Sequence, residues 1–244
     1  MRQARSTTPE QKMTDATYEY LGMPKAQIDT PVLLVELEAL EANIARLARH
    51  FREVGKRLRP HTKSHKTPAI ALKQLEAGAI GITCAKLGEA EAMAQAGIRD
   101  ILVANEVIGA KKIVRLMELA RRCEIMVAVD NPQNLAQLEE AAGRAGVKPR
   151  ILVEVNIGHN RCGVEAGSRA AIELAGAAAR ARHLRFCGLM GYEGHVVDLE
   201  DRAAREGGAR ECLQRLVDTR AAVEREGIPV EICSASGTGD YYLS

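Results

Sequence analysis

Tryptophan is absent, and aromatic residues are scarce: five tyrosines and two phenylalanines in 244 residues. That excludes a base-stacking platform for single-stranded nucleic acid. Charge of one sign is also lacking. The 34 basic and 32 acidic side chains leave a net charge of +2, so no broad basic surface for nucleic acid is implied. No apolar run is long enough to span a bilayer. The N-terminal stretch MRQARSTTPEQKMTDATYEY lacks the apolar centre of a signal peptide. Six cysteines, at 84, 123, 162, 187, 212 and 233, never form a CxxC pair. Several lie in apolar runs, which reads as buried free thiols in a reducing cytoplasm. The expected location is cytoplasmic, with no membrane and no nucleic-acid partner.

What is present is an ordinary globular balance, 46% hydrophobic and 27% charged. Residues 1–27 read as a flexible polar tail. Next, a short apolar strand, Val32 to Val35, leads into a helix with apolar positions at Leu37, Leu40, Ile44 and Leu47. From residue 57 a rhythm sets in. Strand-like runs at 56–63, 79–85, 100–104, 124–130, 150–157, 185–192 and 229–235 alternate with helix-like segments at about 67–77, 87–97, 109–122, 132–145, 167–182 and 200–226. Glycines follow the helices in EAGA, QAGI, RAGV and REGI, where a C-cap needs them. The short, almost wholly apolar strands fit a parallel sheet covered on both faces. No Gly-rich dinucleotide loop follows an early strand, so the α/β fold class expected is a parallel (β/α) TIM-type barrel with seven of eight strands present. The chain stops after GTGDYYLS, which reads as a C-terminal truncation.

In such barrels the chemistry collects at the C-terminal strand ends. The residues there include His61, Lys63, His65, Asn105, Glu106, Asp130, Asn156, His159, Arg161, Tyr192 and His195. The stretch RLRPHTKSHKTP places Arg57, Arg59, His61 and Lys63 two apart, a row of nitrogen groups on one strand face. A lysine in a partly dry pocket beside other cations can be neutral and form a Schiff base. Ser236, Gly237, Thr238 and Gly239, in SASGTG, make a small-residue turn able to aim N–H and hydroxyl groups at an anion. Lysine and phosphate cradle at one mouth suggest pyridoxal 5′-phosphate (PLP). The planar fork of Arg161 suits a carboxylate or a cofactor oxygen. Tyr192 can pack against a flat ring, and His195 can act as acid or base. His61 and His65 have HxxxH spacing, but the pair straddles a strand end without a nearby third ligand, so no metal ligand is assigned. Lys86 and Glu89, in CAKLGEAEA, can position substrate or form the first turn of a helix, and Glu89 reads as the latter.

In order, TPVLLVELEALEANI, LRPHTKSHK, AGAIGITCAKLGEAEAMAQAGIRDILVANEV, NIGHNRCGV, GLMGYEGH and SASGTG resemble the D-threonine aldolase and D-serine dehydratase group. These are PLP enzymes of the alanine-racemase-like fold, fold type III. The resemblance runs over residues 28–244 and implies a single PLP-binding barrel, incomplete at its C-terminus. It implies that Lys63, not Lys66, carries the cofactor, with Arg161 and Tyr192 beside it and Ser236 to Gly239 on its phosphate; His61 belongs to the supporting shell. His195 is the candidate base. The implied activity is retro-aldol cleavage of a D-3-hydroxy amino acid to glycine and an aldehyde, or, as alternatives, dehydratase-type elimination or cofactor binding without turnover. Complete relatives add a β domain with a His-x-Asp or His-x-Cys pair for a divalent metal (Mn/Mg or Zn). Those ligands are not in this chain, and homodimers are expected of the complete relatives.

Overall fold

A computed structural model describes residues 20–243, and the chain divides into two units, 1–43 and 44–244. Most of the expected polar tail, 1–27, lies outside the described residues. In the first unit, a 3₁₀ turn at Lys25–Gln27 precedes an extended segment. The strand expected at Val32 to Val35 pairs with nothing among the described residues: it is extended but outside every ladder, with Leu33 97% exposed. Helix α1 (Leu37–Glu53) follows.

In the second unit, six parallel strands lie side by side in chain order: β1 (Ile82–Cys84), β2 (Asp100–Glu106), β3 (Glu124–Val129), β4 (Arg150–Asn156), β6 (Arg185–Met190) and β7 (Ile232–Ser234). A two-residue strand, β5 (Val164–Glu165), pairs with β4 off this path. Helices α2 (Pro68–Glu76), α3 (Leu87–Gln95), α4 (Ala110–Ala120), α5 (Pro132–Ala145), α6 (Arg169–Arg180) and α7 (Arg202–Arg225) alternate with the strands. This is a parallel α/β half-barrel. Local chemistry sets the helix ends. The side chains of Asn131, Ser168 and Asp201 each accept an orphan N–H at the start of α5, α6 and α7. Gly146 closes α5 at φ 65°, a left-handed conformation that favours glycine.

The first barrel strand departs from expectation. Residues 58–62 run parallel to β1 through three hydrogen bonds: Ile80 N to Leu58 O, Thr83 N to Pro60 O and Thr62 N to Thr83 O, at 2.8–3.0 Å. Only one bridge forms, between His61 and Thr83. Pro60 has no N–H to give, so a regular ladder cannot pass through it. The chain then turns, and Lys63 stands on a turn rather than on a strand face.

Alternation within β2, β3 and β4 divides the core. Ile101, Val103, Ile125, Val127, Ile151 and Val153 pack against the helices. Leu102, Met126, Ala128, Leu152, Cys187 and Met190 form a separate, smaller cluster on the inner face. At the starts of the strands the inner face is closed by charge. Asp100 Oδ1 accepts from Arg59 Nη1 at 2.7 Å and from Arg150 Nη2 at 2.6 Å, both guanidinium groups being largely buried. Arg59 therefore does not join a cofactor shell: it reaches to the beginning of β2, while the candidate site lies at the strand ends. Arg57 is exposed.

Removing one partner of a buried ion cluster leaves an uncompensated charge. Asp100→Asn is expected to cost about 3 kcal/mol of stability, read as a lower urea midpoint at unchanged slope. An unshifted midpoint would mean that Asp100 does not tie the two arginines.

Candidate active site

Tyr192, just past β6, is the centre around which the other groups gather. Lys63 Nζ lies 5.6 Å and Arg161 Cζ 5.4 Å from the centroid of its ring, within cation–π range. The backbone around Lys63 is pinned on both sides. His61 Nδ1 accepts the Lys63 N–H at 3.1 Å, and Lys66 Nζ donates to the Lys63 carbonyl at 2.5 Å while lying 3.8 Å from Glu89. Of the two motif lysines, then, Lys66 is spent on the turn and Lys63 faces the ring. Burial, then the Lys63 charge, pushes His61 down to about 4, so it stays a neutral acceptor near pH 7. Glu89 accepts the Ala85 N–H at 2.9 Å at the start of α3, the helix-end role read from the sequence.

The loop after β4 is built for close return. Asn156 Oδ1 accepts from Gly158 N and Asn160 N, and its Nδ2 donates to Asn160 Oδ1 and Glu165 Oε2. Gly163, at φ 97°, passes so near β4 that a Cβ would stand 2.7 Å from Asn156 N. Any side chain there would push the loop off β4. This turn presents His159 and Arg161 towards Tyr192. His159 meets the Tyr192 ring edge-on at 5.9 Å and stacks on His195 at 5.7 Å. His195, the base picked from the sequence, is exposed and sits one ring further out, with Nε2 3.8 Å from Cys212 Sγ.

The SASGTG loop borders Tyr192 on another side: a Cβ on Gly237 would lie 3.1 Å from the ring. Ser236 takes φ 70°, a glycine-favouring conformation occupied by a serine, which costs on the order of 1 kcal/mol. Ser236 N donates to Glu193 Oε2 at 3.3 Å and Gly237 N to Asp240 Oδ1 at 2.8 Å. The Thr238 and Gly239 N–H groups take no partner among the described residues, and Ser236 Oγ is buried without one. Those three donors can meet an anionic group. Beneath the loop, Glu193 and Asp240 are fully buried. Burial, then the neighbouring Asp240 carboxylate, pushes Glu193 up to about 7.

A second acidic group joins Glu106 and Asp130, both read as strand-end residues, to Glu154, which the sequence reading missed. Glu106 ends β2, Asp130 follows β3 and Glu154 lies two residues before the end of β4, one βα unit apart. Carboxylate oxygens of Glu106 and Glu154 and the Cys162 sulfur lie within 4.8 Å of one another. Cys162 Sγ donates to Glu154 Oε1 at 3.3 Å, and Arg161 Nη2 is 3.9 Å from the same oxygen. Burial, then Glu106, pushes Glu154 up to about 7; burial, then Glu154, pushes Cys162 up to about 12. Glu154 was hidden because it sits inside RILVEVNI, a run that otherwise reads as an apolar strand. The signal that finds it is the two-residue alternation of β4, which turns 154 to the same inner face as 150 and 152.

The architecture is that of a known class. The chain belongs to the alanine racemase N-terminal domain family, whose profile matches residues 35–244. It is 40% identical over 227 residues to the 3-hydroxy-D-aspartate aldolase of Paracoccus denitrificans (strain Pd 1222), covering 91% of this chain and 58% of that protein. The crystal structure of the D-threonine aldolase from Filomicrobium marinum superposes with a TM-score of 0.88 at 41% identity, over 90% of this chain and 59% of that one. The D-threo-3-hydroxyaspartate dehydratase of Delftia sp. (strain HT23) is 30% identical over 213 residues, 86% of this chain and 56% of its own. The chain thus spans less than two thirds of the length of these relatives. Among the described residues no helix is long and apolar enough to cross a membrane.

The buried carboxyl pair under the loop carries a pH signature. Glu193 rises from 4.5 to about 7 on folding, so between those values the folded chain holds a proton that the unfolded chain has lost. Stability from this group is present below pH 4.5, falls as pH rises through the window, and is gone above about 7. Glu193→Gln is expected to flatten the dependence of Tm on pH there and to raise stability at pH 8 by on the order of 3 kcal/mol. A wild-type slope in the variant would remove Glu193 as its source.

Proposed function

We propose that this protein is a PLP-dependent lyase that cleaves a D-3-hydroxy amino acid between Cα and Cβ, releasing glycine and an aldehyde. The observation that carries the reading is the convergence of Lys63, Arg161 and the Ser236–Gly239 loop on Tyr192. The identity pattern supports aldol cleavage over elimination, at 40% to an aldolase and 30% to a dehydratase.

In this reading Lys63 is the point of covalent attachment, and its backbone is held by His61 and Lys66 so that only the side chain moves. Bound PLP supplies an electron sink for the pair released at Cα. Tyr192 forms the flat wall of the site. Ser236 Oγ and the Thr238 and Gly239 N–H groups hold the phosphate, and Arg161 offers a planar donor fork to a cofactor oxygen or the substrate carboxylate. Cleavage requires a base for the β-hydroxyl proton. His195 is the sequence-derived choice, and His159, stacked between it and Tyr192, lies on the path of that proton. Its basicity is lowered, first by burial and then by Arg161, so it is neutral and able to accept near pH 7.

The purified chain is reconstituted with PLP, reduced with borohydride and digested. The expected product is a pyridoxyl group on Lys63, lost in Lys63→Ala and retained in Lys66→Ala. Labelling of Lys66, or none on Lys63, would sink the cofactor assignment. With D-threonine and added Mn²⁺, Mg²⁺ or Zn²⁺, aldehyde and glycine mark the aldolase, whereas keto acid and ammonia mark elimination. Labelling without turnover marks a binder only, which overturns the catalytic part of the reading.

A further inference from the structure

We infer that Glu106, Glu154 and Cys162 form a binding site for a zinc-class divalent cation, at the ends of β2 and β4 behind Arg161. This site uses none of the His-x-Asp or His-x-Cys pair expected of complete relatives, and it stands independently of the cofactor reading.

Two carboxyl groups and a thiol within 4.8 Å of one another supply three ligand atoms of the right kinds. Mixed sulfur and oxygen donors suit Zn²⁺, whereas Mg²⁺ and Ca²⁺ prefer sites made of oxygen alone. Glu154 is the decisive side chain. It is 4% exposed, and its Oε2 atom is buried with no hydrogen-bond partner, as is Oε1 of Glu106. A buried carboxyl oxygen without a partner is costly, and two side by side more so. Positive charge nearby is meagre: Arg161 is half-exposed and 3.9 Å from one Glu154 oxygen, while Asp130 adds a further negative charge near both glutamates. The cluster is neutral only while it holds protons, and a divalent cation can take their place. A cavity of about 10 Å³, lined by Glu154, His159, Arg161, Cys162 and Tyr192 among others, adjoins the ligands. It is the size of one water, enough for an exchangeable ligand facing the mouth.

Binding is a proton-for-metal exchange. The carboxyl and thiol protons leave to solvent as the metal–oxygen and metal–sulfur bonds form, with no change of oxidation state. The test uses the whole chain, stripped with chelator and titrated with Co²⁺ as the probe. The expected result is about one ion per chain, thiolate-to-cobalt charge-transfer absorption, release of protons into weakly buffered solution at pH 6, and displacement by Zn²⁺. Cys162→Ser should abolish the charge-transfer band and Glu154→Gln weaken binding at least about tenfold, while Cys233→Ser leaves both unchanged. X-ray absorption on the zinc-loaded wild-type chain needs no variant: one sulfur with oxygen neighbours supports the site. A shell of nitrogen or several sulfurs, a band that survives Cys162→Ser, or no binding at all overturns it, the last result leaving a proton shared between the two glutamates as the neutralising charge.

Discussion

Every second residue of a parallel strand faces inward, and the staggered pairing of β2, β3 and β4 decides which inward residues are neighbours: Leu102 is level with Met126 and Arg150, and Glu106, past a bulge in β2, is level with Ala128 and Leu152. From this constraint the chemistry of the barrel follows. Reading upward along the inner face, Asp100 and Arg150 sit at the strand starts, Leu102, Met126 and Leu152 fill the middle, and Glu106, Asp130 and Glu154 stand at the top. The bottom layer is balanced: Asp100 meets the guanidinium groups of Arg59 and Arg150, and Glu124 lies 3.9 Å from Arg150 Nε. The apolar middle seals it from the mouth. The top layer is unbalanced: its acids outnumber the one nearby arginine. A register slip of one residue would send the whole set to the helix-covered face, so the same pairing that buries Ile101, Val127 and Ile151 also fixes where the carboxylates go.

Tyr192 converts that imbalance into a site. Its ring takes Lys63 and Arg161 on one side of the electrostatics and lies close to buried acids on the other: Glu193 and Asp240 beneath the SASGTG loop, and Glu154 behind Arg161. The ring is raised in pKa, first by its own burial and then by Asp240, so it remains a neutral surface near pH 7. Of the two cations on the ring, Arg161 also reaches a carboxylate, Glu154. The 3.9 Å gap between Arg161 and Glu154 shows how loosely that arginine is held, and a loosely held guanidinium is one that a ligand can recruit.

Much of this was legible in the sequence. Glycines such as Gly146, in RAGV, mark helix ends by local chemistry, and local chemistry survives folding. Lys63, Arg161, Tyr192 and the loop at 236–239 were all named, and the fold brings them together. Three of the six cysteines, 84, 187 and 212, are buried as read. What escaped depends on contacts between strands. Arg59 shares a face with His61 by spacing, yet its partner Asp100 starts β2, two strands along and at the end of the barrel away from the site. Glu154 reads as one polar residue in an apolar run until β2 and β3 set Glu106 and Asp130 beside it. His159 was one strand-end residue among many until its ring was found between Tyr192 and His195. The strand expected at Val32 to Val35 has the right composition, but a strand also requires a neighbour, which composition does not supply.

The interrupted first strand is where these themes meet. The alternation in RLRPHTK predicts four nitrogen groups on one face, and an unbroken strand would have aligned them. Pro60 withholds the donor the ladder needs, so pairing lasts only to His61 and Thr83 before the chain turns. That turn lifts Lys63 out of the sheet, while His61 accepts its N–H and Lys66 caps its carbonyl. A lysine in a full ladder would point along the barrel wall, its direction set by the pleat. On a pinned turn the backbone is equally fixed, but the side chain projects over the mouth towards Tyr192. The proline thus costs a strand and places an amine, and the row of four nitrogen groups divides into the exposed Arg57, the Arg59–Asp100 ion pair at the bottom, a neutral imidazole in the middle and the Lys63 amine over Tyr192 at the top.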